Sequence, residues 1–195
     1  MAADDPKQVI VEYISQPVGE LDLNPSQAPT AQSNVPQAMV RRGGGLGARI
    51  STVQFLQERH LSDRQLHLVA FENQDGEREQ WLLCVREIAP DHWQNAGGAS
   101  ISAAEVMPQR NAPWVNLASG WSGDLFWAGG RVLDNGLDVV RVRLISENGV
   151  VLEDEVQDGL VLFVANQSVQ RPLRVELFDR SGKLVGTHQA FKLPE

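Results

Sequence analysis

The chain has 195 residues, 42% of them hydrophobic, enough to bury a substantial core in one large or two small domains. A net charge of −8 argues against nucleic acid or an anionic membrane as a partner held by bulk electrostatics. Ten prolines, seventeen glycines and repeated Asx-Gly pairs favour many short strands over long helices.

The N-terminal Met1-Ala2-Ala3-Asp4-Asp5-Pro6 is acidic and lacks an apolar core, so it does not read as a secretory signal. No apolar run approaches the roughly 20 residues that span a bilayer. The lone cysteine, Cys84, excludes an intrachain disulfide and fits a reducing compartment, so the expected location is the cytoplasm.

Residues 8–14 read as a first strand within an N-terminal segment, 1–23. Residues 24–47, rich in Pro, Gln, Ala, Ser and Gly, read as a flexible loop or linker, because such a composition buries little surface. The stretch ends in Arg41-Arg42-Gly43-Gly44-Gly45-Leu46-Gly47. A phosphate cradle would need a strand before it and Gly-Lys-Ser/Thr after it, and an arginine-glycine nucleic-acid segment would repeat. The glycines are read as a hinge.

A β-meander is expected over residues 48–111. Residues 50–58 read as a strand, although Ser51 with Gln54 would also suit a short capped helix. The runs Leu66-His67-Leu68-Val69-Ala70-Phe71 and Trp81-Leu82-Leu83-Cys84-Val85 flank Asp75-Gly76, a hairpin signal. A two-residue turn there opposes Leu68 with Leu83, Leu66 with Val85 and Ala70 with Trp81. A loop is expected at Asn95-Ala96-Gly97-Gly98, a brief helix at Ser102-Ala103-Ala104-Glu105, and a connector from Pro108 to Pro113.

The densest pattern lies within residues 112–195. Val140, Val142 and Leu144 alternate with Arg141 and Arg143. A three-residue loop, Glu147-Asn148-Gly149, faces Leu144 with Leu152, Val140 with Val156, Arg143 with Glu153 and Arg141 with Glu155. Asp154 then falls on the inner face as the one misfit. Leu160-Val161-Leu162-Phe163-Val164 is apolar on both faces, as in a strand covered on both sides. Leu173, Val175 and Leu177 alternate after Pro172, and a loop at Arg180-Ser181-Gly182 sets Asp179 opposite Lys183.

This strand and turn rhythm, with Glu155-Val156-Gln157-Asp158-Gly159 and Phe178-Asp179-Arg180-Ser181-Gly182-Lys183, resembles the immunoglobulin-like accessory domains of bacterial proteins. The resemblance covers the last third of the chain, lacks the paired cysteines of antibody domains, and implies a β-sandwich only.

Chemistry is sparser. Trp114, Trp121 and Trp127, with Asn116 and Asp124 between them, would form a stacking platform for a sugar or another ring-bearing ligand, or else plug the core. Gly120-Trp121-Ser122-Gly123-Asp124 is close to the nucleophile elbow of α/β-hydrolases, with Asp124 where the last glycine belongs and no βα context. His67 would lie opposite Cys84, but two ligands make no zinc site; His67 is expected at the surface and Cys84 as an inert buried thiol. Glu153-Asp154-Glu155 lacks the grammar of a calcium loop and reads as a solvated sheet face. Asn166-Gln167-Ser168 fits a glycosylation sequon, which matters only in a secreted protein.

The expected fold is all-β, a meander followed by an immunoglobulin-like sandwich. The expected function is a non-catalytic protein-interaction or assembly module, whose partner is another protein or a second copy, with no cofactor and no metal. The alternatives are a small-ligand or carbohydrate-binding domain using Trp114, Asn116, Trp121, Asp124 and Trp127, and a hydrolase built on Ser122.

Overall fold

In a computed structural model, which describes residues 2–17, 21–22, 40–41, 45–101 and 112–191, the chain is an antiparallel all-β protein with one helix. Most of the 24–47 linker, the brief helix at 102–105 and most of the 108–113 connector lie outside the described residues.

Strand β1 (Ala2–Ala3) precedes α1 (Pro6–Ser15), and the short β2 (Leu21–Asp22) and β3 (Val40–Arg41) pair with each other. The strand expected at residues 8–14 is thus a helix. Its apolar positions Val9, Ile10, Tyr13 and Ile14 recur at helical spacing, and Asp5 caps it by accepting from the Lys7 N–H at 2.8 Å. Pro6 sits in the first turn, where no N–H is needed.

A 3-10 turn (Ile50–Thr52) leads into β4 (Gln54–His60), followed by β5 (Arg64–Glu72), β6 (Arg78–Ala89) and β7 (His92–Ile101). With β1 these form a five-stranded sheet in the order β1-β7-β6-β5-β4. The loop expected at 95–98 is instead part of β7, where the pairing with β6 shifts register between Cys84 and Val85. A bulge re-aims the strand without ending it.

Then come β8 (Trp114–Ser122), β9 (Leu125–Leu133), β10 (Val139–Ser146), β11 (Val151–Glu155), β12 (Leu160–Ala165), β13 (Leu173–Asp179) and β14 (Leu184–Gln189). They divide into a three-stranded sheet, β12-β9-β8, and a four-stranded sheet, β11-β10-β13-β14.

The three cores give the layer order. Val9, Ile10 and Ile14 of α1 cover Val69, Phe71, Leu83 and Val85 on one face of the five-stranded sheet. Leu66, Leu68 and Leu82 on its other face meet Leu125, Trp127, Leu160 and Leu162. The opposite face of the three-stranded sheet, with Phe126, Val161 and Phe163, meets Val142, Leu144, Val175 and Leu177. The three-stranded sheet is therefore the middle layer, which is why residues 160–164 are apolar on both sides.

Hairpin chemistry sets the registers. At 147–149 the expected pairing is observed, with Leu144 opposite Leu152 and Arg143 opposite Glu153. Arg141 stands opposite Glu155, but its ion pair goes to Glu153 at 3.3 Å. Asp179 meets Lys183 as expected. At Asp75-Gly76 the expected register is one residue off. The loop has three residues, Gln74-Asp75-Gly76, so Leu68 faces Leu82 and Leu66 faces Cys84. Asn73 closes it, its side-chain oxygen accepting from the Asp75 and Glu77 N–H groups at 3.0 and 2.9 Å.

Side chains from the outer sheet also close both edges of the middle one. On one side Asp154 of β11 accepts from the Leu162 N–H of β12 at 2.7 Å and from Arg59 of β4 at 2.8 Å. The misfit of the sequence pattern is a joint between three strand edges. On the other side His188 Nε2 of β14 accepts from the Val115 N–H of β8 at 3.2 Å.

Candidate functional site

The three tryptophans do not share a surface. Trp127, 2% exposed, points from β9 into the core against the five-stranded sheet. A Cβ on Gly120 would fall on the Trp127 ring, so the first glycine of Gly120-Trp121-Ser122-Gly123 leaves room for that ring. Trp114 is buried at the start of β8 and stacks on His188, ring centroids 3.5 Å apart. Asn116 is half-buried on β8, and Asp124 is exposed at the tip of the β8–β9 hairpin. Trp121, 46% exposed, stands seven residues beyond Trp114 on β8, about 23 Å at strand spacing.

Around Trp121 the structure assembles a group that the sequence does not signal. On its face of β8, Val115 and Leu117 pack into the core, Ser119 is half-buried, and Trp121 lies past the core's end. Arg171, in the connection from β12 to β13, places its guanidinium carbon 5.2 Å from the Trp121 ring centroid and 4.6 Å from that of Phe191. Its Nη2 donates to Ser119 Oγ at 2.9 Å. Phe191, just after β14, is 39% exposed, and the tilted ring of Phe126 supports Trp121 from below at 5.3 Å.

A guanidinium over aromatic faces gains from their quadrupoles, more so when partly desolvated. Burial lowers the Arg171 pKa below the ordinary arginine value, and the group stays charged. The result is a fixed cation framed by two exposed rings. Residues 119, 121, 171 and 191 come from three segments far apart in sequence, so no spacing reveals them. The break in the apolar alternation at Ser119 is the one local hint that Trp121 is not core.

The other candidates are structural. Ser122 ends β8 immediately before a β-hairpin, with Gly123 at a φ of +62°, and no helix follows. An elbow needs a strand-to-helix turn. His188 is engaged with Val115 and Trp114, at the opposite end of β8 from Ser122.

His67 is paired with Leu83, and Cys84 with Leu66, so the two residues lie on opposite faces of the sheet. His67 is not at the surface: it is 0% exposed, edge-on to Phe55 at 5.6 Å, and burial brings its pKa down to about 4. Burial likewise pushes the Cys84 thiol up to about 11, which makes it inert. No group of three or more His, Cys, Asp or Glu is placed to hold a metal ion among the described residues.

A shallow depression of about 490 Å³ lies on the outer sheet, lined by Ile145, Glu147, Pro172, Arg174, Thr187 and Gln189. Ser146 and His188 also border it, but Ser146 Oγ accepts from the Val150 N–H, and His188 reaches β8. No catalytic pair converges there.

No helix among the described residues is long and apolar enough to cross a membrane. No family model, curated protein or solved structure matches the chain.

Proposed function

We propose that the protein is a non-catalytic interaction module of the cytoplasm, which engages a partner protein through Trp121, Arg171 and Phe191. The observation that carries this reading is an exposed aromatic pair framing a cation whose position is fixed by Ser119. Aromatic and arginine side chains supply most of the energy at protein interfaces, because they bury much area at modest entropic cost. Of the groups that would suggest catalysis, His188 caps a backbone N–H, His67 and Cys84 are buried, and Ser122 precedes a hairpin turn where an elbow needs a helix.

The immunoglobulin-like resemblance belongs to the same reading. Numbering β8 to β14 as seven successive strands A to G, the sheets are ABE and DCFG. The immunoglobulin arrangement of ABED against CFG differs by the placement of one strand. Such a likeness bears on the fold alone, and the functional reading rests on the side chains gathered where β8, the β12–β13 connection and the end of β14 meet.

The test is a photo-reactive phenylalanine analogue replacing Trp121, with a second protein carrying it at Ile88, also exposed at 52%. A discrete protein adduct from position 121 in cells, absent from position 88 and lost with Arg171→Ala, is expected. Adducts with small molecules alone would favour the ligand-binding alternative, and no adduct would overturn the proposal.

A further inference from the structure

We infer that the group recognised at Trp121, Arg171 and Phe191 is the carboxylate of an acidic peptide segment, an Asp or Glu with an apolar neighbour; this rests on the interaction-module reading above.

Charge is the first argument. Arginines elsewhere are matched with acids: Arg59 meets Asp154, Arg143 meets Glu153 and Glu176, and Arg180 meets Asp138, each within 4.0 Å. Arg171 has no carboxylate within that distance among the described residues. Its one hydrogen bond there, to Ser119, uses a single N–H of the five that a guanidinium carries. The remaining donors form the planar fork that pairs with a carboxylate through two parallel bonds.

Environment is the second argument. Trp121 and Phe191 exclude water from part of the guanidinium, and a pair formed in such a setting is stronger than one in open solvent. Both rings keep exposed area for an apolar side chain beside the acid. Arg171 is also held by Ser119 before any ligand arrives, which lowers the ordering cost of binding.

The count of cations is the third. Phosphate recognition uses clusters of arginines. Among the described residues Arg171 is the one cation stacked on either ring, which matches the single charge of a carboxylate.

The experiment follows the indole N–H of Trp121 and the backbone signals of residues 119–122 by NMR in the full, isotope-labelled chain. Three blocked five-residue peptides are titrated, with Glu, Gln or phosphoserine between two Leu. The Glu peptide should move these signals saturably, and the Gln peptide should bind at least about tenfold more weakly, as expected for losing a charged hydrogen-bonded pair. Arg171→Lys, which keeps the charge and removes the fork, should lose most of that preference while the amide spectrum stays native.

Equal binding of Glu and Gln peptides would overturn the inference, and tighter binding of phosphoserine would replace it with a phosphate site. If no peptide moves these signals while position 121 still forms its protein adduct, the carboxylate inference fails and the interaction reading stands. Loss of both results removes both.

Discussion

His67 of β5 sits where a charge would be costly, edge-on to Phe55 of β4 and with no exposed surface. Burial lowers its pKa from 6.5 to about 4, against a smaller opposing pull from Glu58, whose Oε2 lies 3.6 Å from its Nδ1. Lys7, His60 and Asp5 are the other charged groups acting on it, Lys7 and His60 lowering its pKa and Asp5 raising it. An unfolded histidine takes up its proton near pH 6.5, and the folded one waits until about 4. The unfolded chain therefore binds more protons in that window, so stability falls as pH drops from about 6.5 to 4, by roughly 3 kcal/mol if burial acts in full. Glu58, held below the ordinary carboxylate range first by its hydrogen bond to Lys7 and then by that to His60, adds a loss only at lower pH. Denaturant midpoints measured from pH 7 to 5 should slope downward for the wild type and stay flat for His67→Gln; parallel slopes would remove His67 as the cause. Asp154→Ala strands the Leu162 N–H and the Arg59 guanidinium, and should cost about 2–4 kcal/mol. A double-mutant cycle with Arg59→Ala separates the ion pair from the capping bond, and a cost under about 0.5 kcal/mol for Asp154→Ala would refute the joint.

At the scale of elements, the end of α1 shows how a flexible-looking sequence becomes packed structure. The N–H groups of Leu46 and Ala48 both donate to the Ile14 carbonyl, at 3.1 and 2.8 Å, and that of Gly47 donates to Gln16 at 2.8 Å. Residues 45–48 thus satisfy the carbonyls that a helix leaves open at its C-terminus. A Cβ on Gly45 would fall on the Tyr13 carbonyl oxygen, so Gly45→Ala must push the strap off the helix. The expected result is a loss of about 1–3 kcal/mol and faster hydrogen exchange of α1 amides relative to β5 and β6, and unchanged α1 protection would contradict it. The glycines at 45 and 47 are legible in the sequence as backbone punctuation but not as a cap, because residues 8–14 read there as a strand and not as the helix they form. Asp5-Pro6, an N-cap followed by a first-turn proline, is the helix signal there, and the strand reading of residues 8–14 takes no account of it. The hairpins divide in the same way. Arg143 and Glu153 pin the 147–149 register, since a slip would set charges against apolar residues. Apart from His67, residues 66–71 and 81–85 carry no charged side chain that a one-residue slip would misplace, and the Asn73 side chain decides the loop. Trp121 was visible as an aromatic, whereas Arg171 and Phe191 join it only through the crossing of strands between sheets.

The whole molecule is governed by its middle layer. Leu160 and Leu162 of β12 pack towards the five-stranded sheet, while Val161 and Phe163, alternating with them, pack towards the four-stranded one. Neither outer sheet can bury its inner face without this strand and its neighbours, so loss of packing on one side should be felt on the other. Leu162→Ala removes side-chain volume from one core, and Leu144→Ala does the same in the other; each should cost about 2–5 kcal/mol. If the layers unfold together, both substitutions will lower one shared transition by similar amounts. Native-state exchange will then accelerate equally in β5 and β6 and in β10 and β13, whichever core was altered. If the layers open independently, Leu162→Ala will speed exchange in β5, β6 and β12 and leave β10 and β13 at wild-type rates. The first outcome matters for the surface at Trp121, because its rings and guanidinium are supplied by β8, the β12–β13 connection and the end of β14. A single cooperative unit holds those three segments in place with the full stability of the fold. Independent opening of the outer sheet would instead move Arg171 and Phe191 away from Trp121 while the five-stranded sheet stayed folded. Leu144→Ala would then weaken binding of the Glu peptide more than Leu162→Ala does, and under the cooperative scheme the two variants bind it alike wherever they remain folded.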